Sequence, residues 1–156
     1  MTTAGRRTRG GAPGIRPRNA SRSASLHGVM TVDEALQRAN AVLPGRSAPE
    51  EQLDPRWQAI IAVGEFVRTE PEAVWSFVER WGKHPSDDLR TAIATCLLEH
   101  LLEYHFRLLF PRVEREVRKS TRFADTFSRC WKFGEAENPR NAARFARLRN
   151  QARKRR

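Results

Sequence analysis

An all-α fold is predicted by three features of the sequence. Apolar residues recur at spacings of three and four from Thr31 onward, the mark of helices with one buried face. Proline repeatedly follows a residue that suits a helix start. No segment alternates with period two over a useful length.

The elements follow in order. Thr31-Val32-Asp33-Glu34 is a capping-box arrangement, with threonine at N-cap and glutamate three residues on. The helix it opens is expected to bury Val32, Leu36, Ala39 and Leu43 and to stop at Pro44-Gly45, before a polar loop over 46–53. Asp54-Pro55, Glu70-Pro71, Phe110-Pro111 and Asn138-Pro139 each place proline where a first helical turn tolerates it. Ser86-Asp87-Asp88 supplies a further start, a cap followed by acids on the helix's positive end. Gly82 and Gly134 read as stops. Between these marks the predicted buried faces are Trp57, Ile60, Ile61, Gly64 and Val67 over 55–68, then Val74, Phe77, Val78 and Trp81 over 71–82. A third, over 121–133, carries Phe123, Phe127, Cys130 and Trp131.

The helices pair through short turns, and the first members of the pairs align. Trp57, Ile60, Ile61 and Gly64 fall 32 residues before Leu89, Ala92, Ile93 and Cys96, which fall 34 before Phe123, Thr126, Phe127 and Cys130. A period in this range is typical of helical solenoids, whose units bury their faces only by stacking. DPRWQAIIAVGEF and SDDLRTAIATCLLEH resemble the first helix of a HEAT-type repeat, and the resemblance spans 54–150. It implies a scaffold for a protein partner, or a basic groove for DNA as in related alkylation-repair enzymes. The competing architecture is a compact helical bundle.

The chain has 156 residues, 39% apolar and 30% charged, enough for one domain with a real core. The expected division is an arm over 1–29, a helical domain over 30–150 and a basic tail over 151–156. No apolar run approaches the ~18–20 residues a membrane helix requires. Cys96 and Cys130 are too few for a disulfide framework, so a reducing, cytoplasmic setting is expected. The net charge of +11 is unevenly placed. Residues 1–29 hold six arginines and no acid (+6), and 135–156 hold eight bases against two acids (+6). Within the near-neutral middle, 30–103 is −6 and 104–134 is +5. Such a gradient bears on partners rather than on fold. The arm has three readings: a basic segment for an acidic partner, an organelle presequence, or a stretch upstream of a true start at Met30. The last is preferred, because Met30 opens a pattern that is helical at once.

The stretch Thr95–His105, TCLLEHLLEYH, is the most site-like. Cys96, His100 and Glu103 share a narrow helical sector, but Leu89 and Ile93 project there too. The spacing matches neither His-Glu-x-x-His nor Glu-x-x-His. The expectation is a buried central helix, with Cys96 and Cys130 as core thiols and both histidines hydrogen-bonded inside. Its polar edge holds Glu99 and Glu103, the latter expected to pair with Arg107 one turn on. No nucleophile motif or phosphate loop is found, so no catalytic residue, metal ligand or cofactor is assigned. Trp57, Trp81 and Trp131 read as core. Trp75, to the side of its stripe, reads either as a partly exposed anchor for a protein partner, together with Glu99 and Glu103, or as buried against the neighbouring repeat. The alternative, nucleic acid, rests on Arg112, Arg115, Arg118, Lys119 and Arg122, with Arg140, Arg144 and Arg147 of the C-terminal helix.

Overall fold

Helix starts are set by side chains that occupy the unpaired amides of a first turn. The computed structural model describes residues 28–155, so nearly all of the arm over 1–29 lies outside the described residues. Helix α1 spans Val32–Val42, with both halves of the capping box formed between Thr31 and Glu34. Asp54 caps α2 (Pro55–Gly64) by accepting the Arg56 N–H. Pro71 opens α3 (Pro71–Trp81), and Ser86 caps α4 (Asp87–Ile93). A π-helical turn, Ala94–Leu98, carries α4 straight into α5 (Glu99–Lys119). Ser120 caps α6 (Thr121–Ser128), a 3-10 turn covers Gly134–Glu137, and Asn138-Pro139 starts α7 (Pro139–Lys154). The described residues form no strand, and the fold class is all-α.

Helix α2 stops at Gly64, short of the expected 68, and three further boundaries differ for a tertiary reason. Pro111 lies inside α5 instead of opening a helix; the backbone breaks earlier, at His105 (φ −135°, ψ 36°). There the freed Phe106 N–H donates to Glu135 Oε2 at 2.8 Å, and His105 Nε2 lies 3.0 Å from the Val67 carbonyl. Helix α6 ends at Ser128 rather than near Gly134, because the Trp131 N–H turns away to Glu99 Oε2 at 2.9 Å. Helix α7 runs on through Lys154 with Ala152 fully buried, so the helical body continues into the expected tail.

The packing follows the order of the aligned segments. Helix α2 lies against α4 and α4 against α6, while α3 lies against α5 and α5 against α7. Two buried arginines stitch the first row. Arg56 joins Asp54 on its own unit to Asp88 on the next (2.7 and 3.0 Å), and Arg90 reaches Asp125 at 3.0 Å. Burying a guanidinium costs heavily unless carboxylates answer it, so each pair constrains the stacking register. Tryptophan Trp81 ties α3 to α1 through Asn40 at 2.8 Å. Gly82 ends α3 where a Cβ would stand 3.0 Å from the Phe123 ring, so only glycine lets α6 approach.

The core is continuous from α1 to α7 and rich in phenylalanine. Phe106 stacks on Phe110 at 4.3 Å between centroids, and Phe127 meets Phe145 at 4.8 Å. Such pairs add about 0.5–1.5 kcal/mol each beyond area burial. The second pair anchors the basic helix α7, whose Leu148 and Ala152 are buried beyond Phe145.

Candidate functional site

The π turn joins the short α4 to the long α5 and includes Cys96. An extra residue in one turn widens the helix locally and re-aims side chains, a device frequent at functional sites. Leu97, Leu98, Leu101 and Leu102 are fully buried, as the central-helix reading requires. The polar residues of this stretch serve a different purpose from the one expected. They hold the segment that follows α6.

That segment, residues 130–135, is fastened to α5 and α7 at nearly every position. The Cys130 carbonyl accepts from Arg149 Nη1 at 3.3 Å, and the Trp131 N–H donates to Glu99. Phe133 stacks on the His100 ring at 6.0 Å between centroids and 15° between planes. His100 is in turn fixed by Glu103, with Nδ1 and Oε2 2.7 Å apart. Gly134 takes φ +50°, and a Cβ there would stand 2.7 Å from the Glu103 carbonyl oxygen. Glu135 completes the series at the Phe106 N–H. Burial pushes the Glu99 carboxyl above its ordinary range, against the pull of the Trp131 N–H.

Despite this anchoring, the loop leaves its aromatic side chains outside. Trp131 is 67% exposed and Phe133 is exposed beside it. Next to them lies an open cleft of about 420 Å³ between α2 and the π turn, lined by Ile61, Gly64, Val67, Cys96, His100 and Tyr104. His100 belongs to both features, so the cleft and the loop form one surface. Ile61 and Tyr104 are themselves exposed, and Arg68 lies over the Tyr104 ring at 4.9 Å. Glu65 and Arg68 give the rim one charge of each sign.

The anchors predicted from sequence are placed otherwise. Trp75 is only 4% exposed and meets Phe123 edge-on at 6.0 Å, so it is a core residue rather than an exposed anchor. Glu99 is buried, and Glu103 pairs with His100 instead of Arg107. Trp131 is the reverse case, expected in the core and found outside, while Trp57 is half-buried with its indole N–H on Asp88. Cys130 is buried as expected, but Cys96 lines the cleft. Burial raises the pKa of both, holding them as thiols rather than nucleophilic thiolates. His105 is bonded inward as expected, whereas the His100 side chain is 41% exposed. One local signal did mark the missed loop: Trp131-Lys132-Phe133 alternates where the helical spacing should continue.

The basic residues divide into two sets. Arg112 forms a two-bond pair with Glu72 (2.6 and 2.9 Å), and Arg144 pairs with Glu114 while lying over Phe110 at 4.9 Å. Lys119 approaches Glu116 at 3.7 Å. Arg115, Arg118, Arg122, Arg140 and Arg147 are exposed and make no ion pair among the described residues. No group of three or more His, Cys, Asp or Glu among the described residues is arranged to hold a metal ion. No described helix is long and apolar enough to cross a membrane.

Fold and site together define an all-helical module that displays an aromatic surface on a rigidly held loop. The chain belongs to a family of unknown function, DUF6869, whose family model matches residues 46–153. No curated protein and no solved structure matches the chain.

Proposed function

We propose that the protein is an interaction module that binds another protein through the surface made by Trp131, Phe133, Tyr104, Ile61 and the cleft between them. The observation that supports this most is the contradiction at residues 130–135. A loop fixed at Cys130, Trp131, Phe133 and Gly134 could have buried its tryptophan, yet Trp131 faces solvent. Rigid, exposed aromatics bind at low entropic cost and are enriched at interface hot spots. The partner offers an aliphatic or aromatic side chain to the cleft and lies across Trp131. A rim of mixed sign beside an apolar centre is the anatomy of a protein interface rather than of a phosphate-binding one. The HEAT-like resemblance, a scaffold of stacked helices, agrees with this reading, and so does the order in which the helices pack.

The test is affinity capture from cells that make the protein, with quantitative mass spectrometry. Wild type is compared with Trp131→Ala/Ile61→Asp and with Arg118→Glu/Arg147→Glu. The reading predicts a co-purifying protein depleted at least about tenfold by the first pair and retained by the second. Equal recovery with all three overturns it. Conversion of a dimer to a monomer by the first pair, seen in sedimentation, would make the occupant a second copy instead.

A further inference from the structure

A second surface lies at the other end of α5, and it has the opposite composition. One hollow is lined by Glu114, Arg118, Arg144, Arg147 and Gln151, with three cations against one carboxylate. A second holds Arg90, Arg122, Arg129 and Arg155 with Asp87 and Asp125, four cations against two carboxylates. Arg147 and Gln151 lie one turn apart on α7 and Arg155 caps its end a further turn on, so the two hollows are joined along that helix. The row spans about 12 Å of helix axis. Arg90 and Arg129 are spent on Asp125, and Arg144 on Glu114. Arg118, Arg122, Arg147 and Arg155 are exposed and make no ion pair among the described residues.

We propose that this face binds nucleic acid through its phosphate backbone. Four unpaired guanidiniums on three helices present forked donors suited to phosphate oxygens. Gln151 and Thr121 add neutral hydrogen-bonding groups between them. The only apolar residue lining either hollow is Leu148, which is buried. A protein partner would find no aromatic or aliphatic anchor here, the feature that dominates protein interfaces. Phosphate binding needs none. A duplex presents a charge about every 1.7 Å of its axis, so a row of this length faces several phosphates. The proposal stands apart from the aromatic surface, which shares no residue with it.

The test is fluorescence anisotropy of the full chain with labelled duplex and single-stranded oligonucleotides across a salt series. Binding should weaken linearly on a log–log salt plot. Arg118→Glu/Arg147→Glu should cost at least about tenfold in affinity and lower the slope by roughly 2. Trp131→Ala should leave both unchanged. Arg122→Glu/Arg155→Glu, in the other hollow, gives an independent reading should the first pair misfold. Absence of binding at low salt overturns the proposal. So does binding that both reversed pairs leave intact, which would place it elsewhere in the chain. Competition by polyglutamate as effective as by unlabelled oligonucleotide would assign the face to an acidic protein instead.

Discussion

The loop at residues 130–135 and the face formed by Arg118, Arg122, Arg147 and Arg155 are built from the same three helices but turned inside out. At the loop, the buried Glu99 and the more exposed Glu135 each hold a backbone N–H, and aromatic rings are left outside. At the basic face the rings of Phe110, Phe127 and Phe145 lie inside, and the guanidiniums are left outside. The difference teaches that residue type alone does not decide exposure. A helix that breaks, as α5 does at His105 and α6 does after Ser128, frees amides that must find partners. Acidic side chains nearby are drawn in to satisfy them, and the apolar residues of the broken turn are carried out. Where the helices run unbroken, the amphipathic rule holds and the rings stay inside.

That contrast is sharpened most by Glu99. Glu99→Ala strips the Trp131 N–H of its acceptor and opens a space in the core, and should cost about 2–3 kcal/mol in denaturant unfolding. Glu99→Gln keeps an acceptor without the buried charge and should cost less than half as much. Equal losses from the two would show that packing, rather than the hydrogen bond, holds the loop. Gly134→Ala comes next. It demands φ +50° of a residue with a Cβ and drives that atom onto Glu103, and a loss of about 1–3 kcal/mol is expected. A Gly134→Ala variant as stable as wild type would mean that the loop is not pinned at this point.

A pH profile gives a smaller effect with a definite sign. Because burial raises the Glu99 pKa in the folded chain, the protonated form is favoured by folding. Its contribution to stability is therefore fully present below the ordinary glutamate value of about 4.3, and is lost as pH rises through the raised value. Unfolding midpoints measured on either side of that window should show the decline in wild type and not in Glu99→Gln. A decline of the same size in both would assign it to other groups. The smallest effect is expected at Trp131 itself: Trp131→Ala should change stability by no more than about 0.5 kcal/mol, as for other exposed positions. A larger loss would make the indole a structural residue rather than a displayed one.

Much of the fold was legible in the sequence, and the reason is local. The capping box at Thr31–Glu34, the caps at Asp54 and Ser86, and the prolines at 55, 71 and 139 act within one turn of where they stand. The aligned faces on Leu89, Ala92, Phe123 and Phe127 were likewise visible, since 3.6-residue periodicity reports burial directly. The site was not. Its two defining hydrogen bonds join residues 32 and 29 positions apart, Glu99 with Trp131 and Glu135 with Phe106. Neither partner carries a mark of the other. Trp75 takes the buried one of its two expected places, covered by Phe123 of α6, while Trp131 leaves its expected core position because α6 ends early. Of the basic residues singled out from sequence, Arg112 and Arg144 are held by Glu72 and Glu114, across 40 and 30 residues, which no local pattern marks.

Whether a partner docks on the aromatic surface is tested most directly by in-cell photo-cross-linking. A photoreactive amino acid placed in turn at positions 131, 61 and 118 should give a discrete cross-linked protein from 131 and from 61, the same one, and not from 118. Cross-linking from 118 to that protein, with none from 131 or 61, would contradict it.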